Sequence, residues 1–215
     1  MPITDAQLMD PGYMLETTGH VLDQSSDQVI PYDVNRVAPY LQSKIINYVA
    51  HPPKDSGGFN RWLCVLSSRQ VGKSLCSALA LYYHVAYRPS TFAALITDTI
   101  PRSRDLFRNI LTCHDNMPAA YKAQTIKNRE ANQLTFKHNG KLRTLSAEQS
   151  NVGIGRAMSF GHLSELPFMS DAAGMWNTLY PAITNRKEAA LIMESTPSKM
   201  TEPSAAWFQD MCNAA

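Results

Sequence analysis

At 215 residues, with 44% hydrophobic and 18% charged residues, the chain has the composition of a soluble globular protein with room for a proper core. Its four cysteines, Cys64, Cys76, Cys113 and Cys212, make no CxxC pair, which argues against a zinc site or a disulfide framework and for reduced thiols. Net charge is only +2, but residues 61–156 carry fourteen Lys/Arg against five Asp/Glu, between two acidic flanks, a distribution suited to a polyanionic ligand.

Residues 1–35 are polar and mildly acidic and carry Pro2, Pro11 and Pro31, so they read as an N-terminal extension with little structure of its own, draped over the core or frayed. Pro39 opens a helical pattern in which Leu41, Ile45, Tyr48 and Val49 share a face. From the residues alone, Gln42 is a surface glutamine of that helix. A Pro/Gly/Ser-rich loop follows over His51–Gly58.

The next stretch organises the rest. The apolar run Trp62–Leu66 ends in a polar loop, Ser67-Ser68-Arg69-Gln70-Val71-Gly72, which meets Lys73-Ser74 and an Ala/Leu-rich helical pattern running to Tyr87. Strand, loop and helix in this order make a phosphate loop, although Ser67 stands where the general pattern has glycine. The unpaired N–H groups of a helix start favour phosphate. Gly72 allows close backbone approach, Lys73 reaches the β- and γ-phosphates, and Ser74 offers a hydroxyl to Mg²⁺.

Arg88-Pro89-Ser90 stops the helix, and Thr91–Thr97 reads as a buried strand, completing a βαβ unit with a parallel sheet and a right-handed crossover. Pro101 starts a helix with Phe107, Ile110, Leu111 and His114 as its buried stripe, His114 being structural, and with Arg104 and Arg108 on another face. Alternation on both sides of His138-Asn139-Gly140 predicts a hairpin of strands 132–137 and 141–145. A loop from Ser146 ends in Gly155-Arg156. The short strand Ser159–Leu163 then runs into Ser164-Glu165, and Leu191–Glu194 runs into Ser195-Thr196-Pro197. Taken singly, these last features are weak: a surface glutamate before a turn, a loop arginine and a strand-end Ser/Thr turn are their ordinary readings.

In order, however, Gln42, Ser67 to Ser74, Arg156, Ser164-Glu165 and Ser195-Thr196-Pro197 resemble the ATPase half of the large terminase subunit, the DNA-packaging motor of tailed bacteriophages. The resemblance runs from about Tyr40 to Met200, and Arg69-Gln70 before Gly72-Lys73 is its most specific part. It implies an α/β P-loop NTPase of the ASCE, RecA-like type, three-layered around a largely parallel sheet, with ATP and Mg²⁺ as ligands. Residues 36–200 would form the ATPase domain and 201–215 the start of a lid or linker helix. The family's nuclease domain is expected to be absent from this chain.

The resemblance also implies roles. Gln42 would contact adenine, and Arg69 the phosphates within its own subunit. Ser74 and Ser164 would hold Mg²⁺, with a neutral serine where many P-loop ATPases have aspartate. Glu165 would activate water, and Ser195 and Thr196 would couple hydrolysis to movement. Arg156 would act in trans as an arginine finger, which calls for a homo-oligomeric, pentameric ring, with the isolated domain a monomer in dilute solution. Expected partners are double-stranded DNA, the portal protein and the small terminase subunit, in the host cytoplasm and without a membrane. A helicase-like translocase and a capsid or portal assembly module with negligible turnover are the alternatives.

Overall fold

The computed structural model describes residues 3–23, 26, 28–52, 62–126, 131–149, 157–184, 189–197 and 202–214. Arg156 and most of the loop predicted over 51–58 lie outside them.

The chain forms α1 (Asp5–Leu8), α2 (Pro11–Thr18), β1 (His20–Asp23), β2 (Gln28–Pro31), α3 (Pro39–Ala50), β3 (Trp62–Leu66), α4 (Lys73–Tyr87) and β4 (Phe92–Thr97). Then follow α5 (Ile100–Asn116), β5 (Gln133–Thr135), β6 (Lys141–Ser146), β7 (Phe160–Ser164), a 3₁₀ turn (Leu166–Phe168), α6 (Ala172–Thr184), β8 (Ala190–Ser195) and α7 (Pro203–Ala214). The main sheet has the order β3-β8-β7-β4-β6-β5, parallel throughout except for β5. Buried on both faces, its central strands are nearly continuous apolar runs.

Two apolar clusters flank the sheet. One joins Val65, Leu95, Phe160 and Ile192 to α3, α4 and α5 (Ile45, Val49, Leu79, Ile110). The other joins Ala94, Ile96, Leu163 and Met193 to Leu179, Ile183 and Phe208 of α6 and α7. Helices on both faces of a parallel sheet make the expected three layers. Because parallel strands end at one edge, Leu66, Ser164, Ser195 and Thr97 come together there, Leu66 paired with Ser195 and Thr97 with Ser164.

Two expectations are corrected. The segment 1–35 is not a loose extension. Thr4 and Gln7 form a capping box, Asp10 caps α2 with Pro11 in its first turn, and Met14 and Leu15 are fully buried. Thr18 Oγ1 also lies 2.9 Å from the Tyr83 hydroxyl of α4. Net polarity concealed a helix with two apolar anchors. The hairpin, secondly, has a connection over 136–140, longer than the predicted His138-Asn139-Gly140. Phe136 is fully buried and its N–H donates to the Gly140 carbonyl (2.9 Å), while Asn139 rather than Gly140 takes the left-handed conformation. β5 therefore stops at Thr135.

Candidate functional site: a phosphate loop and its sheet edge

β3 ends at Leu66, and the N–H of Ser67 donates to the Ser195 carbonyl (3.2 Å), which pins the start of the loop to β8. Gln70 (φ 62°) and Gly72 (φ 75°) are left-handed, and Gly72 is the N-cap of α4 without any side-chain capping bond. The first-turn N–H groups of a fifteen-residue helix thus have no side-chain cap at the mouth of the loop, a ready anion site. Ser68, Arg69 and Gln70 are exposed, Ser67 and Val71 half-buried, and Lys73 buried.

Gln42 is 3% exposed, not a surface residue. Its Nε2 donates to the carbonyls of Val71 (3.2 Å) and Val37 (2.5 Å), and its Oε1 accepts from the Tyr32 hydroxyl (2.6 Å). A Cβ on Gly72 would stand 3.1 Å from that same Nε2. The carboxamide braces the phosphate loop from behind.

Across the edge, the Ser74 and Ser164 hydroxyls are 3.4 Å apart, and both donate to Oε1 of Glu194, at 2.6 and 2.5 Å. Lys73 Nζ lies 3.6 Å from the other carboxylate oxygen, and His162 Nε2 3.5 Å from Oε1. Burial pushes the Glu194 carboxyl upward, but His162, Ser164 and Ser74 outweigh it and hold the group below the usual carboxylate range.

Glu165 follows directly on β7 in a left-handed conformation (φ 60°), and its N–H donates to the Glu194 carbonyl (2.8 Å). A non-glycine residue there costs on the order of 1–3 kcal/mol, and such strain clusters at functional sites. The Glu165 carboxylate accepts from Ser195 Oγ (2.9 Å) and from the N–H and Oγ1 of Thr196, both at 3.4 Å. The residues predicted to activate water and to form the coupling motif therefore touch, beside the strand that anchors the loop. Glu165 is not on a remote surface.

No protein-family model and no curated protein matches the chain. Solved structures do. A point mutant of the large terminase ATPase domain of Thermus phage P74-26 superposes with a TM-score of 0.60 at 16% identity, over 79% of this chain and 67% of that one. The HK97 bacteriophage large terminase superposes with a TM-score of 0.70 at 15% identity, over 99% of this chain and 42% of its own. This chain has the fold of a large terminase ATPase domain. A further large terminase, from a thermophilic bacteriophage and in complex with ADP, has a TM-score of 0.55 at 17% identity, over 80% of this chain and 42% of that one. The chain thus spans less than half of the HK97 protein and of the ADP-bound one.

Two cavities of this terminase-like fold adjoin the loop. One, of about 540 Å³, lies between Arg69, Pro167–Ser170, Pro197 and the start of α7 at Glu202–Ser204. Another, of about 290 Å³, is lined by Leu66, Pro167, Thr196, Pro197 and α7. Arg69 therefore faces the 3₁₀ turn and α7. For Mg²⁺, the two serine hydroxyls and the neighbouring carboxylate are a set of hard oxygen donors, which is what that ion prefers, so the residues fit. The residue that sequence reasoning passed over is Glu194. Its signal was a lone carboxylate in an apolar strand, since a buried glutamate almost always has partners. Among the described residues, no helix is long and apolar enough to cross a membrane.

Proposed function

We propose that the chain is the ATP-hydrolysing motor domain of a viral DNA-packaging terminase, which drives double-stranded DNA into a procapsid. The observation that carries this reading is the uncapped start of α4, bearing Lys73 and Ser74, two strands away from Glu165, across β8, on the same sheet edge. The terminase-like fold over 99% of the chain supports it.

Lys73 and the amides of the loop bind the β- and γ-phosphates, and Ser68 to Val71 wrap them. Ser74 and Ser164 would hold Mg²⁺, which when bound neutralises charge on the phosphate oxygens. Glu165 orients and polarises the attacking water for in-line displacement. Ser195 and Thr196, bonded to that carboxylate, sense its release and pass the change along β8. Gln42 sets the loop's height from behind. Arg69 serves the phosphates in cis from its cavity mouth. Arg156 completes a neighbour's site in trans, so the active form is a ring, a pentamer, on the portal protein, with the small terminase subunit delivering DNA in the host cytoplasm.

The test is ATP hydrolysis measured against protein concentration. The parent gains activity steeply with concentration, and Arg156→Ala abolishes that gain. Lys73→Ala loses nucleotide binding, whereas Glu165→Ala binds ATP but turns over about 10²–10⁴-fold more slowly. Equal rates for Glu165→Ala and the parent would replace this reading with a nucleotide-binding assembly module.

A further inference from the structure

Glu194 is more heavily engaged than a core position requires. It is 0% exposed, in register with Ser164 on β7 and with Val65 on β3, and so stands one strand nearer the phosphate loop than Ser164. Its Oε1 takes both serine hydroxyls, while its Oε2, although buried, has no hydrogen-bond partner among the described residues and faces Lys73 at 3.6 Å. A buried carboxylate with a spare oxygen is costly unless a cation satisfies it. The end of β7, where P-loop ATPases carry a metal-holding aspartate, has only the neutral Ser164. The missing charge is present one strand away, bonded to the very hydroxyl of Ser74 that a divalent cation would take.

We propose that Glu194 is the acidic member of the divalent-cation site, supplying from β8 the charge that Ser164 lacks on β7. This rests on the nucleotide reading above. Without a nucleotide, its carboxylate holds the Ser74 and Ser164 hydroxyls and the Lys73 amine in place. With a metal–triphosphate bound, the Glu194 carboxylate would help hold the cation and Lys73 would serve the phosphates. A triphosphate without metal meets a like charge beside Lys73, so Glu194 makes binding metal-dependent.

The experiment is binding of a fluorescent ATP analogue to the full chain, followed by anisotropy, with Mg²⁺ or Mn²⁺ titrated in and with EDTA. For the parent, metal tightens binding. Glu194→Gln binds the metal-free analogue at least as tightly as the parent does, and its apparent metal affinity falls about 10–100-fold. Adding Ser164→Asp to Glu194→Gln returns the charge to β7 and restores the metal dependence. Should Glu194→Gln fail to fold, Glu194→Met, apolar and of similar length, is read in its place: a fall in apparent metal affinity supports the proposal and a parental metal dependence overturns it. Unchanged metal dependence in a folded Glu194→Gln overturns it while leaving the nucleotide reading intact. Failure of the parent to bind the analogue under any condition overturns both.

Discussion

Ser195 Oγ donates to the Glu165 carboxylate at 2.9 Å, joining the end of β8 to the residue that follows β7. The same β8 terminus accepts the Ser67 N–H, so loop, acid and strand form one connected edge. Among the described residues, removing the Ser195 hydroxyl leaves the Glu165 carboxylate its longer contacts to Thr196. Ser195→Ala is expected to lower kcat by about tenfold, the scale of a net hydrogen bond of 0.5–1.5 kcal/mol, with little change in ATP affinity. Steady-state kinetics beside equilibrium nucleotide binding check this.

Gln42 separates two roles by its effect on nucleotide choice. As a brace behind Val71 and Gly72, its loss in Gln42→Ala weakens ATP and GTP alike, because the loop carries the phosphates of both. As an adenine reader it would weaken ATP alone. The bonds to Tyr32, Val37 and Val71 make the uniform loss the expected outcome, measured as competition of ATP and GTP against one fluorescent probe.

The N-terminal segment is held in the core by Leu15, which is fully buried on α2. Leu15→Ala is expected to cost about 2–5 kcal/mol of stability in urea unfolding, as for other buried leucines. An appendage outside the core would give no more than about 0.5 kcal/mol.

Acid should destabilise the fold in two stages. Burial, and after it the charge of Arg88, pulls the His84 imidazole down from 6.5 to about 3. Between those values the unfolded chain holds a proton that the folded one refuses, so stability is complete above about pH 6.5 and falls below it, by up to about 1.4 kcal/mol per pH unit. The Glu194 carboxyl, also depressed on folding, adds a loss of the same sign below about 4.5, as the unfolded state takes up its proton first. Urea midpoints from pH 8 to 4 should decline accordingly. His84→Gln should flatten the upper part of that decline even if it lowers stability at neutral pH.

Local chemistry was readable along the chain. Apolar runs bounded by turn residues marked β3, β4 and β8, and Gly72-Lys73-Ser74 before an Ala/Leu-rich helix marked the loop and α4. These are properties of residues a few positions apart, and periodicity and turn chemistry report on just that range. What lies far apart in the chain was settled by packing. Strand order set β8 between β3 and β7, which brings Ser74, Ser164 and Glu194 within hydrogen-bond reach from positions as much as 120 residues apart. Burial turned Gln42 from a helix-surface residue into a brace, and Met14 and Leu15 from parts of a polar tail into core. Side-chain identity specifies what a group can do, but its charge and partners follow from the neighbours that the sheet imposes on it.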